Sequence, residues 1–161
     1  MELYLVQHGE AKPDAIDSER SLTDHGREEV EHVTRRAATL RLQVAEIRHS
    51  DKLRARQTAE ILAEQLSPLG GVRETEGLAP MDDPEKARIQ VEAAQGPLML
   101  VGHLPHLSRL ASSLLVGDPA KEIIRFRMGA IVCLVKVEGR WLLGWVLTPE
   151  LASVGPCGTS A

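Results

Sequence analysis

Leu3-Tyr4-Leu5-Val6-Gln7-His8-Gly9-Glu10 is the stretch that decides how this chain folds. Four apolar side chains stand in a row with no charge among them, and they lead to a histidine and then a glycine. The run is too short for a helix, so it reads as a strand buried in a parallel sheet. Gly9 is expected to let the backbone turn sharply just after it. His8 then sits at the carboxyl end of a central strand, where open α/β sheets hold their ligands.

A second run repeats the pattern. Leu98-Met99-Leu100-Val101 is continuous and apolar, and it also ends in glycine and histidine, Gly102-His103. Between the two runs, helical and strand-like segments alternate. Ser21-Leu22-Thr23-Asp24 can cap a helix start. The helix that follows places Val30, Val33, Ala37 and Leu40 on one face and Arg27, Glu28, Glu31 and Arg35 on the other. Val44–Ser50 reads as a short strand, Lys52–Leu66 as a helix stopped by Pro68 and Gly70-Gly71, and Val72–Thr75 as a brief strand. Met81-Asp82-Asp83-Pro84 opens a helix over Glu85–Ala94. Beyond His103, Pro105 suits a helix's first turn, with Leu107, Leu110, Ala111 and Leu114 on its buried side. Gly129–Val137 and Arg140–Leu147, joined at Glu138-Gly139, predict a β-hairpin. The expected fold is α/β: a mainly parallel central sheet, helices on both faces and a C-terminal hairpin, in one minimal domain over 1–148. The small, Gly/Pro-containing segment 149–161 reads as a frayed tail.

Composition narrows the function. The chain has 161 residues, enough for one domain with a core, and 43% are hydrophobic. One tyrosine, one phenylalanine and two tryptophans leave little to stack nucleobases on. A formal net charge of −4 argues against non-specific nucleic-acid binding. Cys133 and Cys157 form no Cys-x-x-Cys pair, so no disulfide framework or zinc knuckle is expected. No apolar run approaches the roughly 20 residues of a membrane span, and the expected location is the cytoplasm.

The chemistry-bearing residues gather at one predicted rim. Parallel strands put His8 and His103 side by side. Arg54 falls in the first turn of the helix after Ser50-Asp51-Lys52, near its partly positive end. Arg20 lies in the loop after the first strand. Two imidazoles, two guanidiniums and a helix amino terminus suit a phosphate-like anion, and a neutral histidine can attack phosphorus. Either histidine alone would read as structural; two at matching strand ends, with the arginines in order, do not. His25, His32, His49 and His106 read as structural or surface residues. In His103-Leu104-Pro105-His106 the proline interrupts the spacing and no carboxylate or cysteine joins, so neither a metal nor another cofactor is expected.

Gln7-His8-Gly9, Arg20-Ser21-Leu22-Thr23, Leu53-Arg54-Ala55-Arg56-Gln57-Thr58 and Gly102-His103-Leu104-Pro105, in that order, resemble the histidine phosphatase (phosphoglycerate-mutase-like) superfamily. Within it they are most similar to the small SixA-type phosphohistidine phosphatases. The resemblance implies that His8 is a nucleophile carrying a transient phosphoryl group. Arg20 and Arg54 would bind its oxygens, with Gln7 and Gly9 in the same motif. His103 would add a donor, expected as imidazolium. It further implies a metal-independent phosphatase acting on phosphohistidine of a partner protein. One residue departs from the family pattern: Gln7 stands where the motif has arginine, and brings neither charge nor fork. That leaves two alternatives open, a weak or inactive module that binds phosphorylated partners, and a small-molecule phosphomonoesterase. Glu76, Asp82 and Asp83 are the candidates for a general acid, although Asp82-Asp83 also reads as a helix start.

Overall fold

The structure of the protein, a computed structural model, describes residues 1–154. Its strands are β1 (Glu2–Gln7), β2 (Glu46–His49), β3 (Val72–Glu74), β4 (Leu98–Gly102), β5 (Ile131–Val137) and β6 (Arg140–Leu147). Its helices are α1 (Asp24–Thr39), α2 (Leu53–Leu66), α3 (Pro84–Ala93), α4 (His106–Val116) and α5 (Pro149–Ser153). The strands form one sheet in the order β3-β2-β4-β1-β5-β6. The first four of that order run parallel, and β5 and β6 are antiparallel. Glu138 and Gly139 join the last two with positive φ at both residues, 49° and 77°, which suits the right-handed twist of a hairpin.

β1, β4 and β5 alternate between two cores, one on either face of the sheet. Tyr4 and Val6 of β1 and Met99 and Val101 of β4 pack with α1 and α2 through Val30, Val33, Ala37, Ala55, Ala59 and Leu62. Leu3, Leu5, Leu98 and Leu100 face the other way, onto Ala87 and Val91 of α3 and Leu107, Leu110 and Ala111 of α4. This double burial is why β1 and β4 read as unbroken apolar runs. Among the described residues, no helix is long and apolar enough to cross a membrane.

Three sequence expectations change. Leu40 is the C-cap residue of α1, past its last turn, and is 54% exposed rather than part of the buried stripe. The expected tail begins as α5: Thr148 caps it, Ala152 packs on the α1/α2 core, and Arg127 bridges Glu29 of α1 and Glu150. A short Pro-initiated helix was hidden in what read as loop composition; 155–161, including Cys157, lie outside the described residues. Gly9, expected to permit a sharp turn, has no positive φ and is needed for close approach. A β-carbon there would stand 2.8 Å from Val30 Cγ2 and 3.0 Å from the Gly26 carbonyl oxygen.

Candidate active site

Register builds the site. Gln7 of β1 pairs with Gly102 of β4, so the next residues, His8 and His103, leave the sheet side by side. His49 of β2 pairs with Val101, which brings Ser50 to the same rim. Three consecutive strand ends thus deliver His8, His103 and Ser50. The two imidazole rings lie 4.9 Å apart between centroids, tilted by 53°.

His8 is held in one protonation pattern. Its Nδ1 lies 2.7 Å from the carbonyl oxygen of Gly9. A carbonyl only accepts, so Nδ1 carries the hydrogen and Nε2 keeps a lone pair. Arg54 Nε donates toward that Nε2 at 3.3 Å. Burial first, and then the Arg54 and Arg20 charges, push the His8 pKa down to about 4, against a raising contribution from Gly9. Burial, then His8 and Arg54, push His103 down to about 3. Both rings are therefore neutral at pH 7 in the free site. The expected imidazolium refers to a site holding phosphate; in the free site a ring 2% exposed beside cations stays neutral, with Asp51 raising its pKa less than burial, His8 and Arg54 lower it.

The arginines arrive from two elements. Arg54 comes from the first turn of α2, where burial and then the Arg20 charge lower its pKa. Arg20 sits at the end of a loop closed by the Ala11–Leu22 bridge and by Asp17, which accepts from the backbone N–H of Glu19 and of Ser21. Its φ is +53°, a left-handed conformation unusual for a residue with a side chain, and its Nε donates to the Lys12 carbonyl. Arg20 and Arg54, with Lys52 and Arg56, line a hollow of roughly 510 Å³. Neither Arg20 nor Arg54 forms an ion pair among the described residues.

The other expected residues divide. Gln7 falls by alternation with Leu3 and Leu5, toward the α3/α4 face, and its Oε1 is buried without a partner. Asp82 accepts from the Ala79 N–H and Asp83 caps α3, so each is engaged in holding a turn. Glu76 and Asp82 line a neighbouring hollow, which shares Asp51 and Glu74 with the arginine-lined one; neither contacts either active-site histidine. His106 is fully buried at the start of α4, and both ring nitrogens lack partners.

Three residues that hold the site were not singled out from sequence. Thr58 Oγ1 accepts from the Gly9 N–H and Gln57 Oε1 from the Leu22 N–H, so α2 fastens both ends of the loop that carries Arg20. Ser50 Oγ lies 2.6 Å from His103 Nε2. Gln57 and Thr58 stand within the Arg54 motif, which was a usable signal. Ser50 had only its place at a strand end. Gly26 completes the frame: a β-carbon there would fall 2.2 Å from the Glu10 carbonyl oxygen, so only glycine lets α1 begin this close to the His8 turn.

Comparison with known proteins agrees with this geometry. Residues 3–95, which include His8, Arg20 and Arg54, match the family described as histidine phosphatase superfamily (branch 1). An uncharacterized protein of Picosynechococcus sp. (strain ATCC 27264 / PCC 7002 / PR-6) is 36% identical over 139 residues, covering 81% of this chain and 83% of that protein. Among solved structures, the protein histidine phosphatase SixA complexed with tungstate superposes with a TM-score of 0.83 at 24% identity, covering 93% of this chain and 98% of the other. A putative phosphohistidine phosphatase SixA from Agrobacterium tumefaciens gives 0.75 at 23%, covering 92% and 97%. At these identities the structural likeness speaks for the fold alone.

Proposed function

The chain belongs to the histidine phosphatase superfamily, and from that premise we propose that it is a metal-independent phosphatase that removes the phosphoryl group from phosphohistidine on a partner protein. The observation that carries this reading is the state of His8. Its Nδ1–H is given to Gly9, so the free Nε2 lone pair meets Arg54 beside His103. In the first step Nε2 attacks phosphorus, the bond from phosphorus to the partner's imidazole breaks, and that imidazole keeps the electron pair and takes a proton from water. In the second step water attacks the phosphorylated His8, the P–Nε2 electron pair returns to the ring, inorganic phosphate leaves, and the proton released by the attacking water neutralises the hydroxide left by the first step. Arg20 and Arg54 neutralise the equatorial oxygens, which is most of what a protein supplies to phosphoryl transfer.

Two further points support phosphohistidine over a phosphate ester. Imidazole is a good leaving group that needs little help from an acid, and Asp82 and Asp83 are occupied in turns. The structurally similar SixA is described as a protein histidine phosphatase, and its tungstate, a tetrahedral oxyanion with the shape of phosphate, fits phosphoryl transfer in general. Parallel assays of a phosphohistidine peptide and of sugar phosphates test the substrate class. Faster phosphate release from the peptide is expected; preference for a sugar phosphate would move the enzyme to small-molecule chemistry.

Gln7 favours one alternative, a module that binds the phosphorylated partner and turns it over slowly or not at all. The amide brings no charge to the rim, and its buried Oε1 is unpaired. Gln7→Arg separates the two readings. Turnover by the native chain supports the enzyme, whereas binding without turnover, with activity gained on Gln7→Arg, supports the module.

A further inference from the structure

Ser50 stands one residue beyond β2, 1% exposed, with its Oγ 2.6 Å from His103 Nε2. The backbone N–H of Lys52 donates to the same oxygen at 3.3 Å. A hydroxyl has one hydrogen and two acceptor sites. The contact with Lys52 uses an acceptor site, so the hydrogen remains for His103 Nε2. In the opposite arrangement, with Nε2–H donating to Ser50, the serine hydrogen would have no acceptor. The buried His103 Nδ1, already without a protein partner, would then carry a lone pair with no donor. Unpaired buried polar groups are costly, and that arrangement leaves two of them where the first leaves only the Nδ1–H.

We propose that Ser50 is a positioning residue: its hydroxyl fixes His103 in the Nδ1–H tautomer, keeping that N–H as a donor for an oxyanion bound beside His8. The use of the donor rests on the phosphatase reading; the tautomer itself does not. An unconstrained histidine side chain favours the other tautomer, so Ser50 must impose this one. The same hydroxyl can rotate and accept from Nε2–H if a bound dianion draws a second proton onto the ring, so His103 keeps a partner in either state.

The test is the long-range ¹H–¹⁵N spectrum of the full chain at pH 7. The expected result is an acceptor-type Nε2 and a protonated Nδ1 at His103. Ser50→Ala should shift His103 toward Nε2–H and weaken tungstate binding about tenfold, the worth of one hydrogen bond. Ser50→Thr, which keeps the hydroxyl, should retain the wild-type tautomer. An Nε2–H His103 in the wild type overturns the proposal, as does a Ser50→Ala protein with unchanged tautomer and tungstate affinity. The wild-type spectrum decides even if Ser50→Ala fails to fold. Absence of phosphate release from a wild type with protonated Nδ1 would overturn the phosphatase reading and uphold the tautomer.

Discussion

The two rims of the sheet treat their charges in opposite ways. At the amino rim cations are matched: Glu46, at the start of β2, pairs with Arg48 at 2.7 Å and also with Arg73, and Lys136 pairs with Glu92 at 2.6 Å. At the carboxyl rim Arg20 and Arg54 form no ion pair among the described residues, although Asp51 and Glu74 line the same hollow, and they stand next to two imidazoles that burial keeps neutral. Two cations brought close repel one another, and at Arg54 the Asp51 charge offsets that only in part. A bound oxyanion would relieve that repulsion, so the unmatched rim is the one with work to do. The matched rim belongs to stability, and modestly, since exposed pairs are worth about 0–1 kcal/mol.

Arg54→Ala tests the contrast with the largest effect. It should lower phosphate release on the order of 10²–10³-fold, the usual cost of losing one donor to a developing charge. Its urea midpoint should stay near wild type, since no ion pair is lost. A variant that is destabilised and still active would place Arg54 on the structural side of the comparison.

Acid comes next. With the His8 pKa near 4, the nucleophile is already deprotonated at pH 5. Once the substrate's own ionisation is allowed for, kcat/KM should be flat from pH 5 to 7 and fall only toward pH 4. An ordinary histidine, near 6.5, would give a rise of about 25-fold over that range. Stability should move in the same direction. Folded His8 and His103 titrate near 4 and 3, and unfolded ones near 6.5. Between those values the unfolded chain binds more protons, so stability is complete above about pH 6.5 and is lost as pH falls. A denaturation midpoint unchanged from pH 7 to 4.5 would contradict burial of two neutral imidazoles.

The smallest effect belongs to the matched rim. Arg73→Ala should cost under about 1 kcal/mol and leave phosphate release unchanged. A rate change there would show that the two rims are coupled.

Sequence reading reached some of these features and missed others for definite reasons. β1 and β4 were legible because burial on both faces demands an unbroken apolar run, and parallel pairing then set His8 beside His103. The α1 start was legible from Thr23, whose Oγ1 accepts from the Gly26 N–H. Ser50 was not, because its meaning lies in a contact with a residue 53 positions away. Gly26 looked like an ordinary helix residue until the Glu10 carbonyl was seen against it. The charge on His103 in the free site was not legible, because protonation depends on burial, which no local pattern prints. Asp82-Asp83 was legible as a helix start, and Asp83 does cap α3, while Asp82 accepts from the Ala79 N–H.

The central claim is that His8 Nε2 takes the phosphoryl group. It is tested most directly by mixing the full chain with a labelled phosphohistidine donor, quenching in base and mapping the label. The expected result is acid-labile phosphate on His8, absent from a folded His8→Ala protein that no longer releases phosphate. Undiminished turnover in His8→Ala, or label on any other residue, would contradict it.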